Sequence, residues 1–195
     1  METPDKLAEL PPVFRWADAR TAGMSQSRLY KWIDSGSIER FGHGLYVKSD
    51  APALDLDLIE VAMTAPDATM CLASALARHG LIDEIPTVIH LALPKNRNLP
   101  RLSAPVRWHH FDPATFTIGR NPMPIAQGFS LWIYDAPRSI IDAYRLRHLE
   151  GQEMAREALR NWIQLPKSHP AELLQIAVQF PKAFSAVRND LEVLL

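Results

Sequence analysis

The order of local signals between Pro12 and Lys48 limits this chain more than any other feature. From Trp16 to Ala22, apolar residues recur at Trp16, Ala19 and Ala22, and Gly23 follows where a helix end favours glycine. Ser25 then offers an N-cap, and Met24 and Leu29 are spaced as a hydrophobic staple around it. Leu29, Trp32 and Ile33 recur at helical spacing and predict one buried face for a helix over 25–35. Gly36 ends that helix. Ser37–Phe41 and Leu45–Val47 read as two short strands, joined by Gly42, His43 and Gly44 as a tight turn in which glycine supplies positive φ. Two short helices followed by a hairpin are the layout of a winged helix-turn-helix, a DNA-reading module.

The second helix carries the chemistry. Opposite its apolar face lie Ser27, Tyr30, Lys31 and Asp34, with Arg28 on the flank and Ser25 and Gln26 in the first turn. These side chains can bond phosphates and base edges. Arg40 and His43 fall on the hairpin, where they would meet phosphate or the minor groove. A polar outer face also suits a solvated helix that binds nothing, since fold alone does not fix function. Charge favours the DNA reading. Residues 14–48 hold six basic side chains against three acidic ones, while the whole chain has a net charge of −1.

Composition narrows the rest. A chain of 195 residues that is 47% hydrophobic has room for one large or two small cores. No apolar run is long enough to span a membrane, and the opening segment METPDKLAELPP lacks a signal-peptide core. The single cysteine, Cys71, cannot form an intramolecular disulfide, fits a reducing cytoplasm, and lies in an apolar segment as a buried thiol would.

A module boundary is expected near residue 50, where Lys48-Ser49-Asp50-Ala51-Pro52 has linker composition. A helix should follow from Asp55 to about Pro66 and a second from Thr69 to His79. Strands are expected at 87–93, 106–111, 125–127 and 131–134. Helices should occupy 137–149, 152–164, 170–179 and 182–194. Helices, clustered strands and further helices predict an α+β fold. It comprises an N-terminal winged helix-turn-helix over 1–50 and a mixed α+β domain over 51–195 that ends in a helical segment.

No catalytic constellation emerges, so no enzymatic activity and no cofactor or metal is expected. Asp55-x-Asp57 resembles a nucleotidyltransferase carboxylate pair, but the nearest upstream Gly-Ser, Gly36-Ser37, lies too far before it and belongs to the hairpin, so the pair reads as a helix start. His90, His109, His110 and Asp112 are metal-ligand residue types, yet adjacent strand residues face opposite ways, so His109 and His110 do not share one ion. Glu60 is followed by Val61-Ala62, so the Glu-x-Lys of a nuclease is absent. The proline-bounded loop from Pro94 to Leu102 carries Lys95, Arg97 and Arg101. It is either a solvated loop or a contact for DNA backbone or an acidic partner. Trp108, Trp132 and Trp162 read as core, although Trp162 with Ile163 and Leu165 could instead form a partner face.

Several pieces resemble the AbiEi-type antitoxins and transcriptional regulators of type IV toxin–antitoxin systems. In the first module they are Ala17-Asp18-Ala19-Arg20 with Ala22-Gly23, Ser25-x-x-x-Leu29-Tyr30, and Gly42-x-Gly44-Leu45-Tyr46. Further on they are Cys71-Leu72-Ala73-Ser74-Ala75-Leu76 with His79-Gly80-Leu81, and the run from Asp135 to Asp142. The resemblance covers most of 14–148. It implies a phage-defence antitoxin of the abortive-infection type that represses its own promoter by binding an inverted repeat. It also implies a nucleotidyltransferase-type toxin as partner. The alternative is a stand-alone transcriptional regulator whose second domain senses a ligand or dimerises.

Overall fold

A computed structural model describes residues 6–195. Residues 1–5, which include the start of the opening segment and of the first module, lie outside the described residues. The first module opens on a strand that sequence periodicity did not show, β1 (Val13–Arg15). Helix α1 (Trp16–Thr21) follows directly. Gly23 takes φ +80°, which turns the chain into α2 (Gln26–Asp34). The Ser25 side chain caps α2 by accepting from the Arg28 amide at 3.4 Å, and Met24 and Leu29 are both buried in one cluster as a staple requires. Strands β2 (Ile38–Gly42) and β3 (Leu45–Lys48) form the hairpin, and β1 pairs antiparallel with β3 to give the sheet order β1-β3-β2.

The small sheet has two covered faces. Phe14, Ile38 and Tyr46 pack onto α1 and α2 with Leu10, Ala19, Met24 and Leu29. Val13 and Val47 point the other way and pack with Ile59 of helix α3 (Leu56–Thr64), alongside Phe41, Leu54, Ala126 and Phe129. This second cluster crosses the linker, so the winged helix shares apolar contacts with the rest of the chain. Asp55 caps α3 by accepting from the Leu58 amide at 3.1 Å, as its place at a helix start suggested.

The larger sheet joins β4 (Thr69–Met70), β5 (Ile89–Pro94), β6 (Val106–Phe111), β7 (Arg120–Ala126) and β8 (Phe129–Tyr134) in the order β6-β5-β4-β8-β7. Its centre, β4 (Thr69–Met70), lies in a segment expected to be wholly helical; the helix α4 spans only Leu72–Arg78. Thr69 and Met70 are claimed by ladders on both sides, antiparallel to β5 (Ile89–Pro94) and parallel to β8 (Phe129–Tyr134). Strand β6 (Val106–Phe111) runs where expected, parallel to β5. Strand β7 (Arg120–Ala126) starts five residues before the expected 125–127 and contains Pro122 and Pro124. Both prolines are tolerated because β7 is an edge strand, bonded among the described residues to β8 alone.

One face of this sheet packs Leu91, Leu93, Met70, Leu131 and Ile133 against Leu58 and Val61 of α3. The other carries Ala92, Phe111 and Tyr134 with Cys71, Leu72 and Phe116. Helices α5 (Ala136–Arg145), α6 (Arg147–Glu150), α7 (Gln152–Ile163), α8 (Pro170–Ala177) and α9 (Pro181–Leu194) complete the chain. The single helix expected over 137–149 is thus two, broken at Leu146. Residues Arg138 to Tyr144 of α5 are all buried, because α4, α7, α8 and α9 surround it. The fold is α+β with a helical C-terminal segment. Among the described residues, no helix is long and apolar enough to cross a membrane.

Candidate nucleic-acid interface

Helix α2 buries Leu29 and leaves Ser25, Gln26, Ser27, Tyr30, Lys31 and Asp34 exposed, with Arg28 half-buried. Apolar spacing forces this division: once Leu29, Trp32 and Ile33 are turned to the sheet, the intervening positions must face outward. The exposed row is loosely tied together. Ser25 and Ser27 hydroxyls are 3.1 Å apart, and the Gln26 amide donates to the Tyr30 hydroxyl at 3.3 Å. Tyr30 keeps 55% of its surface exposed. A large aromatic and a lysine left uncovered beside Ser25, Gln26 and Ser27 can meet a groove without displacing any packed group.

The hairpin turn is built differently from expectation. Gly44 takes φ +68°, but Gly42 does not have positive φ and serves another need. It pairs with Leu45 across a register shift after Arg40, and a methyl group on it would stand 2.8 Å from the Glu60 carboxylate and 3.0 Å from Leu45 Cδ1. Gly42 is therefore required by close approach. Arg40 and His43 are both exposed. Arg40 folds back over the turn, donating from Nε to the Gly42 carbonyl at 3.0 Å, with Nη2 3.5 Å from His43 Nδ1. Two potential phosphate contacts are thus clustered at the wing tip.

The basic loop between β5 and β6 leaves Lys95, Arg97 and Arg101 exposed. Arg97 pairs with Asp67 at 2.7 Å, so a carboxylate from the turn after α3 offsets one charge of a segment that has no acidic residue of its own. Both partners are more than half exposed, and such a pair contributes little stability. Among the described residues neither Lys95 nor Arg101 has an ion pair, so these two carry the loop's uncompensated charge there.

Residues weighed for chemistry sit in structural roles. Asp55 is occupied as a helix cap, Cys71 is fully buried at the start of α4, and Trp162 is buried among the C-terminal helices. His109 stacks on His90 across the parallel pair, with Nε2 3.2 Å from His90 Nδ1, while neighbouring His110 is exposed. Burial is the main cause that lowers the His109 pKa to about 4, helped by His90, Arg107 and Arg145. Because the folded value lies below the unfolded one, the native state is favoured above pH 6.5 and loses stability as pH falls towards 4. The loss should reach about 1–2 kcal/mol once solvent around the partly exposed ring is allowed for. Urea unfolding across this window should show His109→Gln to be less acid-sensitive than the parent; equal slopes would exclude this origin.

The sequence tests Glu60 only against a nuclease motif and shows Arg138 and Asp142 only as parts of a family-like run, with no sign that either is a buried charge. Glu60 is 2% exposed, and its signal was a lone charge inside the apolar run Leu58-Ile59-Glu60-Val61. Arg138 and Asp142 are fully buried at the spacing of one helical turn.

Comparison with known families matches residues 2–47 to the family described as transcriptional regulator, AbiEi antitoxin. The matched span ends within β3 and takes in α1, α2 and the wing turn. No curated protein matches the chain. The resemblance found in the motifs from Ala17 to Tyr46 is thus shared with a family of regulators and antitoxins.

Proposed function

We propose that this chain is a non-enzymatic DNA-binding repressor and antitoxin. Its winged helix binds an inverted repeat in its own promoter, and residues 51–195 counteract a nucleotidyltransferase-type toxin encoded beside it. The observation that carries the DNA half is the exposed polar row of α2 set beside Arg40 and His43 on the wing, within a span matched to a family of regulators. The antitoxin half rests on the family description. The family match stops at Val47, which favours one second reading, a stand-alone regulator whose second domain senses a ligand or dimerises. The neighbouring gene separates the two. Growth rescue on co-expression with an adjacent nucleotidyltransferase-type gene supports the antitoxin, and absence of such a gene supports the regulator.

The DNA half is tested by gel-shift titration of the full chain on its upstream promoter. Arg28→Ala and Lys31→Ala should each weaken binding by about 1–3 kcal/mol where the lost contact is to a base edge. Unchanged affinity in both variants would sink the assignment of α2 as the reading helix.

A further inference from the structure

Glu60 is a buried carboxylate on α3, next to Ile59 of the cluster that joins the small sheet to the larger domain. Both its oxygens accept from the Ser103 amide, at 2.9 and 3.0 Å, and Oε2 also accepts from the Ala104 amide at 2.7 Å. Ser103 and Ala104 close the basic loop before β6. On its other side the same carboxylate lies against Gly42, where even a methyl group would collide with it. The Gly42 carbonyl in turn holds Arg40 Nε. A continuous chain of contacts therefore runs from the β5–β6 loop through Glu60 to the wing tip. A second tie acts at the other end of α3, where Arg15, the residue before α1, donates to the Met63 carbonyl.

Burying a charge is costly unless hydrogen bonds compensate it, and a carboxylate held by backbone amides is confined to one geometry. An apolar residue at position 60 could pack the α3 face without such confinement. We infer that Glu60 is a positioning residue for the wing: held by the Ser103 and Ala104 amides, it seats Gly42 and so sets where Arg40 meets the DNA backbone. This rests on the reading that the winged helix binds duplex DNA. It adds that the wing is oriented by the second domain, so that displacement of the β5–β6 loop loosens the wing.

The test uses the full chain, the nearly isosteric Glu60→Gln, and two duplexes of equal length, the upstream promoter and a random sequence. Arg40→Ala should reduce the salt slope of binding by roughly 0.9, the value of one phosphate contact. Glu60→Gln should reduce it in the same direction on both duplexes. Arg40→Ala added to Glu60→Gln should then cost less than it does alone, because the two act through one contact. Amide hydrogen exchange at 42–46 should also be faster in free Glu60→Gln than in the parent. Gly42→Ala, which crowds the carboxylate from the opposite side, should reproduce both effects if Glu60→Gln unfolds. Additive losses with Arg40→Ala, or an unchanged slope and exchange in Glu60→Gln, overturn the inference while leaving the DNA reading intact. A parent chain that binds neither duplex overturns both.

Discussion

Arg138→Ala is expected to destabilise the fold by about 3–5 kcal/mol, the usual cost of breaking a buried ion pair from one side. Arg138 is completely buried. Its Nε donates to Asp142 at 2.9 Å, and its Nη1 donates to the carbonyls of Thr115 and Ile118 at 2.6 and 2.8 Å. The guanidinium lies 4.3 Å from the Tyr134 ring centre and 4.4 Å from that of Phe180. Burial raises the Asp142 pKa, and Arg138 with Arg145 opposes that shift. Alanine would take the guanidinium donor from the Ile118 carbonyl, leave the Thr115 carbonyl only the Ile118 amide at 3.3 Å, open a gap between the rings, and leave Asp142 to Arg145, whose Nε and Nη2 lie 3.1 and 2.8 Å from it. Lysine should not rescue, since a point charge cannot reach the carboxylate and both carbonyls as the planar fork does. Urea unfolding measures the loss. Arg138→Met with Asp142→Leu should recover part of it, because both buried charges then leave together. A loss below about 1 kcal/mol in Arg138→Ala would place this pair among surface ion pairs in worth and contradict its burial.

Trp162→Ala should cost about 3–5 kcal/mol, the range for emptying a large aromatic from a core. The side chain is 5% exposed and belongs to the cluster that includes Leu76, Ile140, Tyr144, Leu159, Leu173 and Val187. Of the trio considered as a partner face, Trp162 is therefore core, Ile163 is partly buried against the same cluster, and Leu165 is 44% exposed. Leu165→Ala should change stability by less than about 0.5 kcal/mol. Denaturant midpoints of the two variants test the contrast. A stable Trp162→Ala protein that had lost an interaction would restore the partner-face reading.

The winged helix was legible in the sequence because its signals are local. Ser25 caps within three residues, Leu29, Trp32 and Ile33 declare a face by spacing, and Gly36 closes the helix. The hairpin was legible from Gly44, whose positive φ is a property of that residue and its neighbours. The same holds for Asp55 as a cap and for the C-terminal helices, two of which begin at the prolines Pro170 and Pro181.

Tertiary structure decided whatever depends on a partner far along the chain. Thr69 and Met70 are strand because ladders from β5 and β8 claim them, although the apolar run they open looks helical. Pro122 and Pro124 sit in a strand because β7 lies at the sheet edge, a position no local pattern encodes. Asp67 reaches Arg97 from 30 residues away, and Glu60 reaches Ser103 from 43. Gly42 reads in the sequence as a turn glycine, yet its missing side chain matters because Glu60 occupies the space. A carboxylate in an apolar run carries no record of which amides will satisfy it. That follows only when packing brings the β5–β6 loop and the wing to the same helix, because hydrogen bonds and close approach act over ångströms of space irrespective of distance along the chain.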